Sequence, residues 1–222
     1  MELTRSLDIY CERMGPGYWA EPLNAVSNVA FLIAAFVMWR RVAGRGMPLA
    51  TALCVVLAAI GVGSYLWHTH AQVWAVMIDS GAIAVFAVLF VYAANRHFLN
   101  LPLWQALGAT ALFFPYVAVT VPLFDRVPFL EISSGYWPLP LLMLIYGLGL
   151  RRRAPETGRG LLIAGGMVTV SLVLRSVDEA VCSAVPVGTH FLWHALNGLL
   201  LGWMIEVYRR HMAGRRGVAH AA

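Results

Sequence analysis

Residues 189–205 read THFLWHALNGLLLGWMI, with two histidines, His190 and His194, at the mouth of the apolar run. Four residues apart, they share one face of a helix. An imidazole placed there costs free energy unless something binds it. Two histidines at this spacing can hold one metal ion together. A third, His68, closes another apolar stretch, with Ser64 one turn before it on the same face. Three histidines plus an open position is the ligand pattern of a catalytic zinc site, where the metal lowers the pKa of a bound water to about 7 and polarises a carbonyl. Asp79 follows His68 across a short hairpin. From there it can take a proton from that water or orient a ligand.

Blander readings compete with this one. A single histidine at a membrane edge is more often a hydrogen-bonded interfacial residue than a ligand, and His70, His97, His211 and His220 are read that way. A histidine pair could also bind haem. Axial histidines, however, come from opposite ring faces, usually on different helices, so two on one face suit a small ion better. Serine readily bonds its own helix backbone. Trp19, Trp67, Trp74, Trp137 and Trp193 read most simply as an aromatic belt, and the glycines of GVGS (61–64) as points of close helix packing. Arg175, Asp178, Glu179 and Asn197 are the other polar groups expected at the same membrane face.

The elements that must position these groups are membrane helices. The chain has 222 residues, of which 60% are hydrophobic and 12% charged. Soluble domains run nearer 45–50% and about 25%. A helix needs about 20 apolar residues to cross a bilayer, and seven stretches approach that length: 22–39, 48–66, 74–93, 103–121, 136–150, 160–177 and 190–208. The expected fold is an all-α seven-transmembrane bundle over 22–208, with an N-terminal segment at 1–21 and a polar tail at 209–222. The first 20 residues are polar and do not read as a secretory leader.

The net charge of +5 comes with sixteen arginines and no lysine. A nucleic-acid surface would gather them on one soluble face, but most flank apolar runs. Arg40, Arg41, Arg45, Arg96, Arg151, Arg152, Arg153, Arg159, Arg209, Arg210, Arg215 and Arg216 all fall on one side of the seven-span map. Nine of the eleven acidic residues fall on the other, if Asp79 is counted there. The bias toward positive charge inside then places the N-terminus outside and the C-terminus in the cytoplasm. Cys11 and Cys182 share the outer face, while Cys54 lies within the second span. Two cysteines on an oxidising face could pair, or all three could be unrelated thiols.

Three stretches together, YCER…WAEPLNAVSN (10–28), GVGSYLWH…IDS (61–80) and DEAVC…HFLWH (178–194), resemble the alkaline ceramidases, within the wider group of seven-span membrane hydrolases that includes the adiponectin receptors. The resemblance runs in order from end to end. It implies a zinc ion held by His68, His190 and His194. It implies that Ser64 helps hold an oxyanion, that Asp79 assists the zinc water, and that Cys11 and Cys182 form a disulfide. It also points to calcium on the N-terminal segment, where Glu12 and Glu21 match and Asp8 is displaced by one residue. Met14 stands where the family has asparagine, and the segment is about two residues shorter, so calcium is an open expectation. The alternative is that Glu12 and Glu21 pair with Arg13 or Arg175 near the site mouth.

The expected function is zinc-dependent hydrolysis of the amide of ceramide or a similar N-acyl lipid, in a multi-pass protein of a bacterial inner membrane with its site toward the periplasm. A lipid-sensing receptor with a structural zinc and little turnover is the second reading, and a haem or quinone redox protein the third. The partner expected is the membrane lipid substrate, with no nucleic acid; protein partners are left open.

Overall fold

A computed structural model describes the backbone of residues 2–221 and the side chains as far as Arg215, so the side chains of Arg216 and His220 lie outside the described residues. The described chain is helical, with no strand beyond one isolated bridge between Ser6 and Gln72. Helices α1 (Pro22–Ser27) and α2 (Val29–Val42) form one apolar stretch. They are jointed at Asn28, whose side chain donates back to the Asn24 and Ala25 carbonyls. Then come α3 (Pro48–His70), α4 (Val73–Ala93, continued by a π turn, Ala94–Phe98), α5 (Leu103–Ala111), α6 (Phe113–Phe124), α7 (Pro138–Leu150), α8 (Pro155–Ser176) and α9 (His190–Ala221). Short 3-10 turns at Leu130–Ser133 and Glu179–Val181 lie in the connections.

Proline starts α1, α3, α7 and α8. Its missing N–H and fixed φ cost nothing at a helix start. At the other end of α3, Ala71 adopts a left-handed conformation with φ 47° and returns its N–H to the Trp67 carbonyl, a helix-terminating geometry. The tight hairpin into α4 follows from it.

Five helical stretches are long and apolar enough to cross a membrane: Pro22–Val42, Pro48–His70, Val73–Phe98, Leu103–Phe124 and Pro155–Ser176. The chain is thus a multi-pass membrane protein. Pro138–Leu150 is apolar but shorter. The stretch at 190–208 forms the first part of α9, which runs on into the arginine-rich end of the chain. Large apolar residues such as Phe36, Val55, Met77, Phe114, Val119, Ile145, Val170 and Leu199 face outward, as expected where the solvent is lipid.

Helix α2 packs between α3 and α9, α3 against α4, and α8 between α7 and α9, while α5 and α6 lie at the edge with little buried surface. Several of these contacts depend on glycine. A Cβ on Gly198 of α9 would meet the backbone of Ala30 at 2.9 Å, and one on Gly63 of α3 would meet Asp79 Cα at 3.3 Å. The expectation that GVGS allows close approach therefore holds at Gly63. The aromatic belt needs correcting. Trp19 is exposed, but Trp67, Trp137 and Trp193 are buried at 2%, 9% and 7% exposure. They are covered by other parts of the chain, Trp67 by Leu7 and Tyr10 of the N-terminal segment, rather than facing an interface.

Candidate metal centre

The N-terminal segment lies over one end of the bundle. Its backbone runs beside the α3–α4 hairpin, with Leu7 N–H on the Ala71 carbonyl (2.8 Å) and Val73 N–H on the Arg5 carbonyl (3.2 Å). A disulfide joins Cys11 to Cys182, as the resemblance implied, and Cys54 is a buried free thiol. Beside the bridge, Asp178 ties three strands of chain together. Its carboxylate accepts N–H bonds from Cys11 (3.0 Å), Thr189 (2.6 Å) and His190 (2.8 Å). The last two are opening N–H groups of α9, which have no partner within the helix. Asp178 thereby sets where α9 starts and where its first histidine points.

At this end of the bundle His68, His190 and His194 come together, each almost fully buried. One ring nitrogen from each lies within 4.8 Å of the others. The tautomers of two follow from their neighbours. His68 Nδ1 lies 2.5 Å from Glu21 Oε2 and donates to it. His194 Nδ1 lies 2.7 Å from Ser27 Oγ, whose own hydrogen is given to the Asn24 carbonyl at 2.8 Å, so the imidazole is the donor there too. Both Nε2 atoms are then left as bare lone pairs, and they face each other at 3.1 Å. Such an arrangement is repulsive unless a cation sits between. Zn–N bonds of about 2.0–2.1 Å would set tetrahedral ligand nitrogens about 3.3 Å apart. His190 adds a buried Nδ1 that no protein group pairs, and the Tyr10 ring stacks on its imidazole with centroids 3.7 Å apart. Donor set, burial and fixed tautomers therefore fit a bound metal ion.

Ser64 is buried with Oγ 3.5 Å from His194 Nε2. Asp79 is 9% exposed, on the turn of α4 that packs against Gly63, and its Oδ1 has no hydrogen-bond partner. It lies within electrostatic reach of Arg175 and Tyr10. Arg175 donates to the Ile132 carbonyl and to Ser133 Oγ, with its guanidinium over the Tyr136 and Trp193 rings. Asn197 is used internally, on Ser171 Oγ and the Trp193 carbonyl.

The carboxylates expected at a calcium site are engaged elsewhere. Glu12 accepts the N–H groups of Leu23 (2.6 Å) and Asn24 (2.7 Å), closing the start of α1. Burial raises its pKa, and those two donors pull it back. Glu21 holds Arg13 Nε at 2.5 Å through Oε1, and His68 and Asn24 through Oε2. Its pKa is raised by burial and lowered by Arg13, burial being the larger effect. Asp8 lies on the surface. Among the described residues, the histidines converge on one point and Asp8, Glu12 and Glu21 do not. These carboxylates do not fit a calcium ion, and the pairing of Glu21 with Arg13 is what the structure has instead. Tyr10, whose pKa burial pushes up to about 12, stays a neutral ring over His190.

Sequence reasoning missed the support around the histidines: Tyr10, Ser27 and the His68 bond of Glu21. Only Glu21 carried a signal, through the resemblance, which suggested calcium; the alternative, a pairing with Arg13, is the contact present. Below the histidines an apolar cavity opens between α2, α3, α4, α7, α8 and α9. Phe31, Trp193 and Asn197 line it near the histidines, and Ala94, Leu161 and Met204 line its far end.

Fold and site together define a membrane-spanning helical chain with a buried three-histidine group able to hold a metal ion. No family model matches the sequence, and no curated protein matches it.

Proposed function

We propose that the protein is a zinc-dependent intramembrane amide hydrolase of the alkaline ceramidase type, cleaving ceramide or a similar N-acyl lipid to a free amine and a fatty acid. The convergence of His68, His190 and His194 beside an apolar cavity carries this reading. From Trp193 to Met204 the cavity follows α9 for about 16 Å at 1.5 Å per residue, a depth suited to a long acyl chain. A zinc ion held by the three histidines would supply a Lewis acid for the amide carbonyl and a water acidic enough to attack near neutral pH.

The surrounding residues then divide the work. Glu21 and Ser27 fix the imidazole tautomers of His68 and His194. Asp79, with a free buried Oδ1, accepts a proton and returns it to the leaving amine. Ser64 Oγ donates to the carbonyl oxygen as negative charge develops there. The walls formed by Phe31 and Trp193 keep water away from the acyl chain.

In this reading Pro138–Leu150 and the first part of α9 join the five longer stretches as spans six and seven. The arginine-rich connections lie in the cytoplasm. The N-terminal segment, the disulfide and the histidines then face the periplasmic side of a bacterial inner membrane, an oxidising compartment.

The test is direct. Purified protein incubated with ceramide labelled in its acyl chain should release labelled fatty acid. Chelation should stop release, and added zinc should restore it. Full zinc occupancy with no product from any N-acyl lipid would sink the hydrolase and favour a lipid-sensing receptor with a structural zinc.

A further inference from the structure

The groups around Glu21 show what replaces the calcium ion that the N-terminal motif suggests. Three acceptors converge beside the histidines: Glu21 Oε1, the Gly15 carbonyl and the His68 carbonyl. A single cation, the Arg13 guanidinium, takes all three, through Nε (2.5 Å), Nη1 (2.9 Å) and Nη2 (3.1 Å). Arg13 is 9% exposed and Glu21 2%. A buried carboxylate is tolerated only when paired and hydrogen-bonded, and here both conditions are met from within the chain. The His68 carbonyl belongs to the last turn of α3, where carbonyls have no partner within the helix. Arg13 thus holds His68 twice, directly at its backbone and through Glu21 at its imidazole. Its neighbour Cys11 is bonded to Cys182, which keeps the segment carrying Arg13 over the site.

We propose that Arg13 is the resident cation of this site: its planar fork occupies the place of a second metal ion, positions His68 through Glu21, and leaves the protein with no calcium requirement. The planar geometry matters, because one ammonium cannot reach a carboxylate and two carbonyls in a fixed fork. Arg13 is a positioning residue. It touches neither the apolar cavity nor a ring nitrogen of the three histidines.

The positioning half of this proposal rests on the metal reading above, and the two can fail separately. Zinc-loaded wild-type protein in detergent is titrated with calcium chloride to millimolar concentration, followed by calorimetry and thermal unfolding. No saturable heat and no change in Tm are expected, and saturable calcium binding would overturn the proposal. Zinc affinity is then measured by competition with a chromophoric chelator. Arg13→Gln should bind zinc about 10–100-fold more weakly at unchanged helical content, and Arg13→Lys should recover part of the loss. Wild-type zinc affinity in Arg13→Gln counts against the proposal. If Arg13→Gln fails to fold, Arg13→Lys against wild type and the calcium titration still decide. Wild-type protein that takes up no zinc defeats the metal reading instead, and the calcium titration remains a test of Arg13.

Discussion

At the scale of single residues, the proposed reaction separates groups that would hold a metal from groups that would use it. His190→Ala and His68→Ala each remove one of the three proposed ligands, so both should lose bound zinc by metal analysis beside wild type. Asp79→Asn keeps the shape of the side chain but not its basicity. It should retain zinc and lose turnover, whereas zinc loss would make Asp79 a group that orients the ligands. In the proposed reaction, Ser64→Ala removes one donor to the developing oxyanion. Such a deletion costs about 2.7–4 kcal/mol of transition-state stabilisation, so kcat should fall by about 10²–10³ without reaching zero, measured as fatty acid released from labelled ceramide. Burial raises the stakes for each of these groups, because Ser64, Asp79 and the histidines are all at or below 9% exposure.

At the scale of helices, the site depends on how closely α3 meets α4 and α9 meets α2. Gly198 lies against the Ala30 backbone, where a Cβ would come within 2.9 Å. Backbone cannot move aside as a flexible side chain can. Gly198→Val should therefore push α9 away from α2, costing roughly 1–3 kcal/mol of stability, read as a lower Tm. His194 lies one turn before Gly198 on α9, so zinc affinity should fall with it. At Gly63 the nearest atom is Asp79 Cα at 3.3 Å, and the same close approach brings Asp79 alongside the α3 helix that carries Ser64. Close helix packing was legible in GVGS, but not that α4 is the partner at Gly63. The role of Asp178 in starting α9 was not, because its partners Cys11, Thr189 and His190 meet it only in three dimensions.

At the scale of the whole molecule, the Cys11–Cys182 bridge closes a loop over a sequence separation of 171 residues. It spans almost every helix and pins the N-terminal segment over the histidines. Removing a native disulfide typically costs about 2–5 kcal/mol. Cys11→Ser should lower Tm by several degrees and weaken zinc binding as well, since Tyr10, Arg13 and Glu21 lose their anchor. Orientation is tested on a different loop. Asp125 is exposed and far in sequence from the bridge, and Cys54 is buried. Asp125→Cys should react with an impermeant thiol reagent on cells whose outer membrane is permeabilised, and reaction only after lysis of the inner membrane would reverse the proposed topology.

Sequence alone determined the helical membrane class and the histidine trio as a candidate ligand set. Both depend on local quantities: hydropathy over about 20 residues and a four-residue spacing that puts two imidazoles on one face. The disulfide was open from location and was suggested by the resemblance. Only the tertiary structure decided what surrounds the histidines. Trp67, Trp137 and Trp193 are amphipathic enough for an interface or an interior, and the choice depended on which helices neighbour them. Glu21 carries the same charge whether it binds calcium, pairs with arginine or orients an imidazole. Its partners follow from the path of the N-terminal segment, which sets Arg13 on one carboxylate oxygen and His68 on the other. Spacing along a helix can be read from the chain, but contacts between segments 47 or 167 residues apart exist only once the bundle has closed.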